Sequence, residues 1–186
     1  MRSQDIYILL KLVCLRQGES SHFYTHAKLR ECYSVRGLSA ALGISKTEVS
    51  ASIQRSIDVG MATRDSKSGY PRVNKKALLD FVTHGLKYVF PAKPAEIVRG
   101  VPAAFSAPML KGKILSMDDY IYVWPHAEGS KKGQSVKPLF KSLPKAALDD
   151  ECFYEYLALV DAVRIGNPRE ANMAADMLKQ RLFSDG

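Results

Sequence analysis

The chain has 186 residues, 46% of them apolar and 25% charged, with a formal net charge of +8. That length suits one ordinary domain with room for an appended segment, and that apolar fraction excludes a chain disordered throughout. No run approaches the ~18 consecutive apolar residues that a spanning helix needs, so no membrane partner is expected.

The charge is unevenly spread. Residues 1–80 carry +6, residues 81–148 another +6, and residues 149–186 carry −4. A basic body with an acidic tail points to a polyanionic partner for the body. Cys14, Cys32 and Cys152 are odd in number, far apart and outside any CxxC pair, which leaves free thiols in a reducing compartment as the expectation.

In chain order, Ile6, Leu9, Leu10 and Val13 recur at helical spacing and predict a first helix from Ser3 to Arg16. Asp5 ahead of the apolar patch, and no small-residue cleavage site behind it, separate this segment from a secretion signal. A cytoplasmic protein is therefore expected. A polar stretch with room for one short amphipathic turn follows.

Residues 33–74 carry the functional expectation. A helix-turn-helix needs a first helix with an apolar inner face, a tight turn, and a capped second helix with a polar outer flank. Val35, Leu38 and Leu42 supply the first requirement. Gly43 suits the turn and Ile44 the apolar plug after it. Ser45 is placed as N-cap, with Val49, Ile53 and Ile57 as inward anchors. Lys46, Thr47, Ser50, Gln54 and Arg55 then face outward.

With LSAALGISKTEVSASI followed by DVGMATRD, this segment resembles bacterial winged-helix transcriptional regulators of the MarR type, over about Asp5 to Phe90. The resemblance implies that Gly60 ends the recognition helix and that MATRD and YPRVN form a two-stranded wing. The tip Lys67-Ser68-Gly69 has the small, polar, glycine-containing character of a tight hairpin. Arg64, Lys67 and Arg72 would bring charge to phosphates or the minor groove, and Arg36 a further phosphate contact. The chain departs from the family at Ser52 and Ser56, where the family has large apolar residues, with Ile53 and Ile57 one place along. Two registers for the outward face, one position apart, follow from this.

Asn74 suits the N-cap of a helix over residues 75–90. Seven of the nine prolines lie between Phe90 and Pro144, which excludes long helices there. Residues 120–124, YIYVW, predict a strand, and GSKKGQS (129–135) reads as a flexible basic hairpin, a possible further DNA contact. Towards the C-terminus, Phe153, Leu157, Val160 and Val163 mark one helix that Gly166 ends. Asn167, Pro168 and Glu170 open a second with the stripe Ala171, Ala174, Ala175, Leu178 and Leu182.

Other constellations have plain structural explanations. His22 and His26 share a helical face with Cys32 nearby, but no fourth ligand is evident. Asp149-Asp150-Glu151 suits a helix N-terminus, and Asp118-Asp119 a solvated loop. There is no Walker lysine loop, GxGxxG or GxSxG elbow.

The expected fold is mainly α with a small β wing. It comprises a winged helix-turn-helix DNA-binding domain (1–90), a proline-rich basic segment with some strand (91–148) and a C-terminal helical hairpin (149–186). The expected function is sequence-specific binding of double-stranded DNA as a transcriptional regulator, with no enzymatic activity and no cofactor. Bases would be read by Lys46, Thr47, Ser50, Gln54 and Arg55. A homodimer is expected, joined through the first helix or the C-terminal hairpin. Two readings compete: a protein-docking adaptor or antitoxin-like partner, and a small-molecule sensing module lined by Tyr120, Tyr122 and Trp124.

Overall fold

A computed structural model describes residues 1–19, 25–113 and 121–184. Helix takes 58% and strand 12% of the described chain, so the fold is mainly helical with strand confined to two small sheets. The chain divides into two units, the first containing Met1–Leu78 and the second Leu79–Phe183.

In the first unit, α1 (Ser3–Glu19) is buried almost all round: Tyr7, Ile8 and Leu12 are as enclosed as Ile6, Leu9, Leu10 and Val13. A helix apolar on every side needs cover on every side. It packs on α2 (His26–Tyr33), α4 (Lys46–Asp58) and β2 (Pro71–Val73). Thr25 caps α2, and Ser34 both closes α2 and caps α3 (Val35–Leu42), donating to the Glu31 carbonyl and accepting from the Gly37 amide. Leu38 and Leu42 are fully buried as expected, but Val35 is exposed. Being the first residue of α3, it lies ahead of the turn that faces the core.

Gly43 ends α3 at φ 63, a left-handed conformation that costs glycine nothing and other residues roughly 1–2 kcal/mol. Ile44 drops into the core directly behind it. α4 is capped by the Ser45 hydroxyl, which accepts from the Glu48 amide at 3.3 Å. Its inner face is Val49, Ser52, Ile53 and Ser56, with Ile57 only half-buried. Two buried serines one turn apart replace bulky anchors, and small residues at a helix contact permit a close approach of the axes. The Ser56 hydroxyl satisfies itself on the Ser52 carbonyl at 2.9 Å. β1 (Ala62–Arg64) and β2 then form an antiparallel hairpin in the register Thr63↔Arg72.

Asn74 caps α5 (Lys75–His84), its side chain accepting from the Ala77 amide at 3.1 Å. The helix expected to run to residue 90 breaks at Gly85 into the four-residue α6 (Leu86–Val89). In the second unit, β3 (Ile97–Pro102) pairs antiparallel with both β4 (Tyr122–Pro125) and β5 (Lys131–Ser135). β4 and β5 pair in parallel, so three strands close on one another. Residues 129–135 are therefore not a flexible hairpin. A short 3-10 turn, Ala104–Ser106, follows β3.

Three helices complete this unit: α7 (Leu143–Leu148), α8 (Glu151–Ile165) and α9 (Pro168–Phe183). Asp150 caps α8 on the Phe153 amide, and Asn167 and Glu170 cap α9 reciprocally, each bond 3.0 Å. α8 is enclosed by α9, α7, α6 and the 3-10 turn. Ala174, Leu178 and Leu182 of α9 are fully buried in this packing, while Ala171 and Ala175 of the same stripe are half-buried, so most of the stripe expected to be available for dimerisation packs within the chain. The apolar faces of α1 are consumed in the same way.

A buried polar network holds the second unit together. Trp124 donates its indole N–H to Asp161 at 2.6 Å, and Arg164 ion-pairs with the other Asp161 oxygen while donating to the carbonyls of Phe90 and Lys137. Trp124 is fully buried and Tyr122 nearly so, edge-on to Phe105. Both aromatics are core, and Tyr120 lies outside the described residues. No described helix is long and apolar enough to cross a membrane.

Candidate nucleic-acid interface

Capping by Ser45 and burial of Val49, Ser52, Ile53 and Ser56 dictate what α4 offers to solvent. Lys46, Thr47, Ser50 and Gln54 are all exposed, at the helical spacing that places them along one flank. Of the two registers left open by the sequence, buried Ser52 and Ser56 select the one that keeps these four outward. Gln54 donates to the Asp58 carboxylate at 2.8 Å, one turn along the same flank. The Ser45 hydroxyl is engaged in the cap but exposed beside them.

Arg55 is the correction. Its guanidinium turns back to α1 and donates to both oxygens of Asp5, from Nη2 at 2.7 Å and Nε at 3.2 Å. A further bond reaches Glu48 at 2.5 Å. Asp5 is completely buried. Burial alone would raise its carboxyl pKa, but the hydrogen bonds from Arg55 and the Arg2 amide outweigh it and hold the group below the ordinary value. Glu48 is likewise held down by Arg55 and further tied to Arg2 and Gln4. Arg55 is a helix-to-helix clamp and does not stand among the outward residues.

Arg72 is the second correction. On β2 it ion-pairs with Glu19 at 2.5 Å, donates to the Tyr33 hydroxyl at 3.1 Å, and lies 3.6 Å from Asp65. Its charge sits 5.4 and 5.6 Å from the ring centres of Tyr33 and Tyr70, which stack on each other at 4.4 Å. The side chain keeps 19% exposure. It fastens the hairpin to α1 and α2, its charge met by Glu19 and Asp65.

Arg64 and Lys67 are exposed on the hairpin, and Arg36 is exposed on α3. Asp65 shapes the tip that carries Lys67: one carboxylate oxygen accepts from the amides of Lys67 (3.0 Å) and Ser68 (2.7 Å) and from the Ser68 hydroxyl. These bonds, the Ser68 amide foremost, bring its pKa down to about 2. Arg64 reaches only weakly to the Gly69 carbonyl at 3.4 Å. Eight cations and polar groups thus stay at the surface as expected from sequence, counting Arg36, Ser45, Lys46, Thr47, Ser50, Gln54, Arg64 and Lys67.

Sequence reasoning passed over Asp5, Glu19 and Glu48, whose partners lie up to 53 residues away. Asp65 was within reach, since Asp followed three residues later by Ser ahead of a glycine is a turn pattern. His22 falls outside the described residues and His26 is exposed at the start of α2. Among the described residues no three His, Cys, Asp or Glu side chains are grouped to hold a metal. Cys14, Cys32 and Cys152 are not joined in a disulfide. Comparison with models of protein families, with curated proteins and with solved structures finds no match to this chain.

Proposed function

We propose that residues 1–78 form a winged helix-turn-helix that binds double-stranded DNA, and that the chain is a transcriptional regulator of the MarR-like kind. In this reading α3 and α4 are the helix pair, α4 enters the major groove, and the β1–β2 hairpin is the wing on the backbone or minor groove. The observation that carries it is the split of α4. Its polar flank of Lys46, Thr47, Ser50 and Gln54 is wholly open while its other face and its clamp to α1 are fixed.

Base edges are read by those four residues, Gln54 pairing with adenine and Lys46 with guanine. Gln54 must leave Asp58 to do so. Arg36, Arg64 and Lys67 neutralise phosphates, and the Arg55 charge organises the site from behind. Two copies on a symmetric operator complete the reading, joined through a surface other than the buried faces of α1 and α9. The reading is of a cytoplasmic, non-enzymatic protein without a cofactor.

One observation favours the competing adaptor reading. With Arg55 and Arg72 internally paired, the open flank of α4 keeps Lys46 against exposed Asp58 and is close to neutral. Selection of bound sequences from random duplex DNA decides between them. A regulator yields an enriched motif, abolished by Lys46→Ala with Gln54→Ala. The absence of duplex binding at low salt supports the adaptor instead.

A further inference from the structure

The three-strand closure of the second unit holds a charge arrangement that the first unit does not explain. β3 and β5 pair with Arg99 directly opposite Lys132 and Gly100 opposite Lys131. Arg99, Lys131 and Lys132 are all exposed, and among the described residues their side chains make no ion pair or hydrogen bond. Like charges directly opposite on neighbouring strands repel and weaken the pairing. Side chains alternate along a strand, so Ile97 and Gln134, the next pair outward on the same face, extend that surface.

The arrangement is built stiffly. A Cβ on Gly129 would lie 2.1 Å from the Gly100 backbone, and one on Gly133 would lie 2.2 Å from the Ile121 carbonyl oxygen. Both glycines are needed for the strands to come this close, and the backbone bearing Lys131 and Lys132 is locked between them. Buried Gly133 and Ser135 face inward and leave Lys132 and Gln134 outward. A stiff, uncompensated pair of cations is what a row of phosphates would neutralise.

We infer that the outward face of β3 and β5, centred on Arg99 and Lys132, is a second contact for the phosphate backbone of duplex DNA. The inference rests on the DNA-binding reading of the first unit and deepens it. Residues 81–148 carry the same +6 as residues 1–80, and a surface that meets phosphates without reading bases needs charge in place of hydrogen-bonding side chains. Its contribution is affinity and salt dependence, with sequence preference left to α4.

The test uses the full chain and a labelled duplex carrying its selected motif, titrated from 50 to 200 mM salt. Each phosphate contact contributes roughly −0.9 to the slope of log K against log salt. The R99Q/K132Q variant should flatten that slope by about 1.8, so its affinity falls about tenfold less than wild type over this range. Its preference for the motif over random duplex should be unchanged, its melting temperature equal to or above wild type, and R99K/K132Q should restore about half the lost slope. An unchanged slope, with binding still abolished by K46A/Q54A, overturns the second surface alone. Wild-type protein that binds no duplex overturns the first reading and this one together. A variant that loses binding only to anionic lipid vesicles or to a polyglutamate peptide, with the DNA slope intact, overturns the choice of partner.

Discussion

Asp5 of α1 and Arg55 of α4, fifty residues apart, form a two-pronged ion pair in which the carboxylate is completely buried. This pair decides the orientation of the helix that carries the candidate interface. The same Nη2 that meets Asp5 also donates to Glu48, so a single cation joins both helices and the first turn of α4.

Removal of Arg55 is therefore expected to act on stability first. Arg55→Ala strands a buried carboxylate, a loss on the order of 2–3 kcal/mol, below the figure for a fully enclosed pair because Arg55 keeps 28% exposure. Arg55→Lys should recover little, since an ammonium cannot supply the two-pronged geometry. Chemical denaturation of both variants measures this. A fully stable Arg55→Ala protein with weakened DNA binding would return Arg55 to the outward set.

Acid should weaken the same unit. The carboxyls of Asp5, Glu19 and Asp65 are all held below their ordinary values. For Asp5 and Glu19 burial works against this, and the hydrogen bonds led by Arg55 and Arg72 prevail. For Asp65 the Ser68 amide leads. A depressed folded-state pKa stabilises the ionised form, fully above the unfolded value near 4 and decreasingly as pH falls through the folded value. Melting temperature should hold from neutral pH to about pH 5 and drop below pH 4. Asp5→Asn should start lower at neutral pH and decline less steeply. A wild-type profile that climbs towards pH 3 contradicts the assignment.

Ser56 offers a test of the close α1–α4 contact. Its hydroxyl bonds only within its own helix, so Ser56→Ala should change stability by less than about 1 kcal/mol. Ser56→Leu should overpack the contact by roughly 1–3 kcal/mol. If leucine stabilises the protein, the helices have room to spare and the packing account fails.

In the second unit the buried Asp161 accepts from Trp124 and pairs with Arg164. Asp161→Ala leaves the Arg164 charge enclosed without its counterion, a destabilisation of about 3–5 kcal/mol. Trp124→Phe removes one bond to an anion and should lose about 1–3 kcal/mol. Indole fluorescence follows the first unfolding and far-UV circular dichroism both. Equal stability of Asp161→Ala and wild type would show that the network does not hold the strands.

Much of the local structure was legible beforehand. Ser45, Asn74 and the Asn167–Glu170 pair cap helices where the sequence placed them, and Gly43 makes its turn. Residues 129–135 differ from expectation, because a run rich in glycine and lysine has the composition of a loop, whereas Lys131–Ser135 is a strand. Here its glycines serve close strand approach. Val35 and Ile57 were placed inward from spacing alone, whereas the exposed start of α3 and the buried serines of α4 shift the true inner faces.

Sequence by itself determined the caps, the turns, the existence of most helices and the basic bias of the first two thirds, because each depends on residues within a turn of one another or on composition. Tertiary structure alone decided which cations remain available. Arg55 and Arg72 read identically to Arg64 in one dimension, yet their carboxylate partners come from α1, 50 and 53 residues away. The energy of an ion pair falls as 1/r with distance in space, and chain separation carries no record of that distance. The same holds for β3, which takes both β4 and β5 as neighbours, and for α9, whose apolar stripe found its cover in α8.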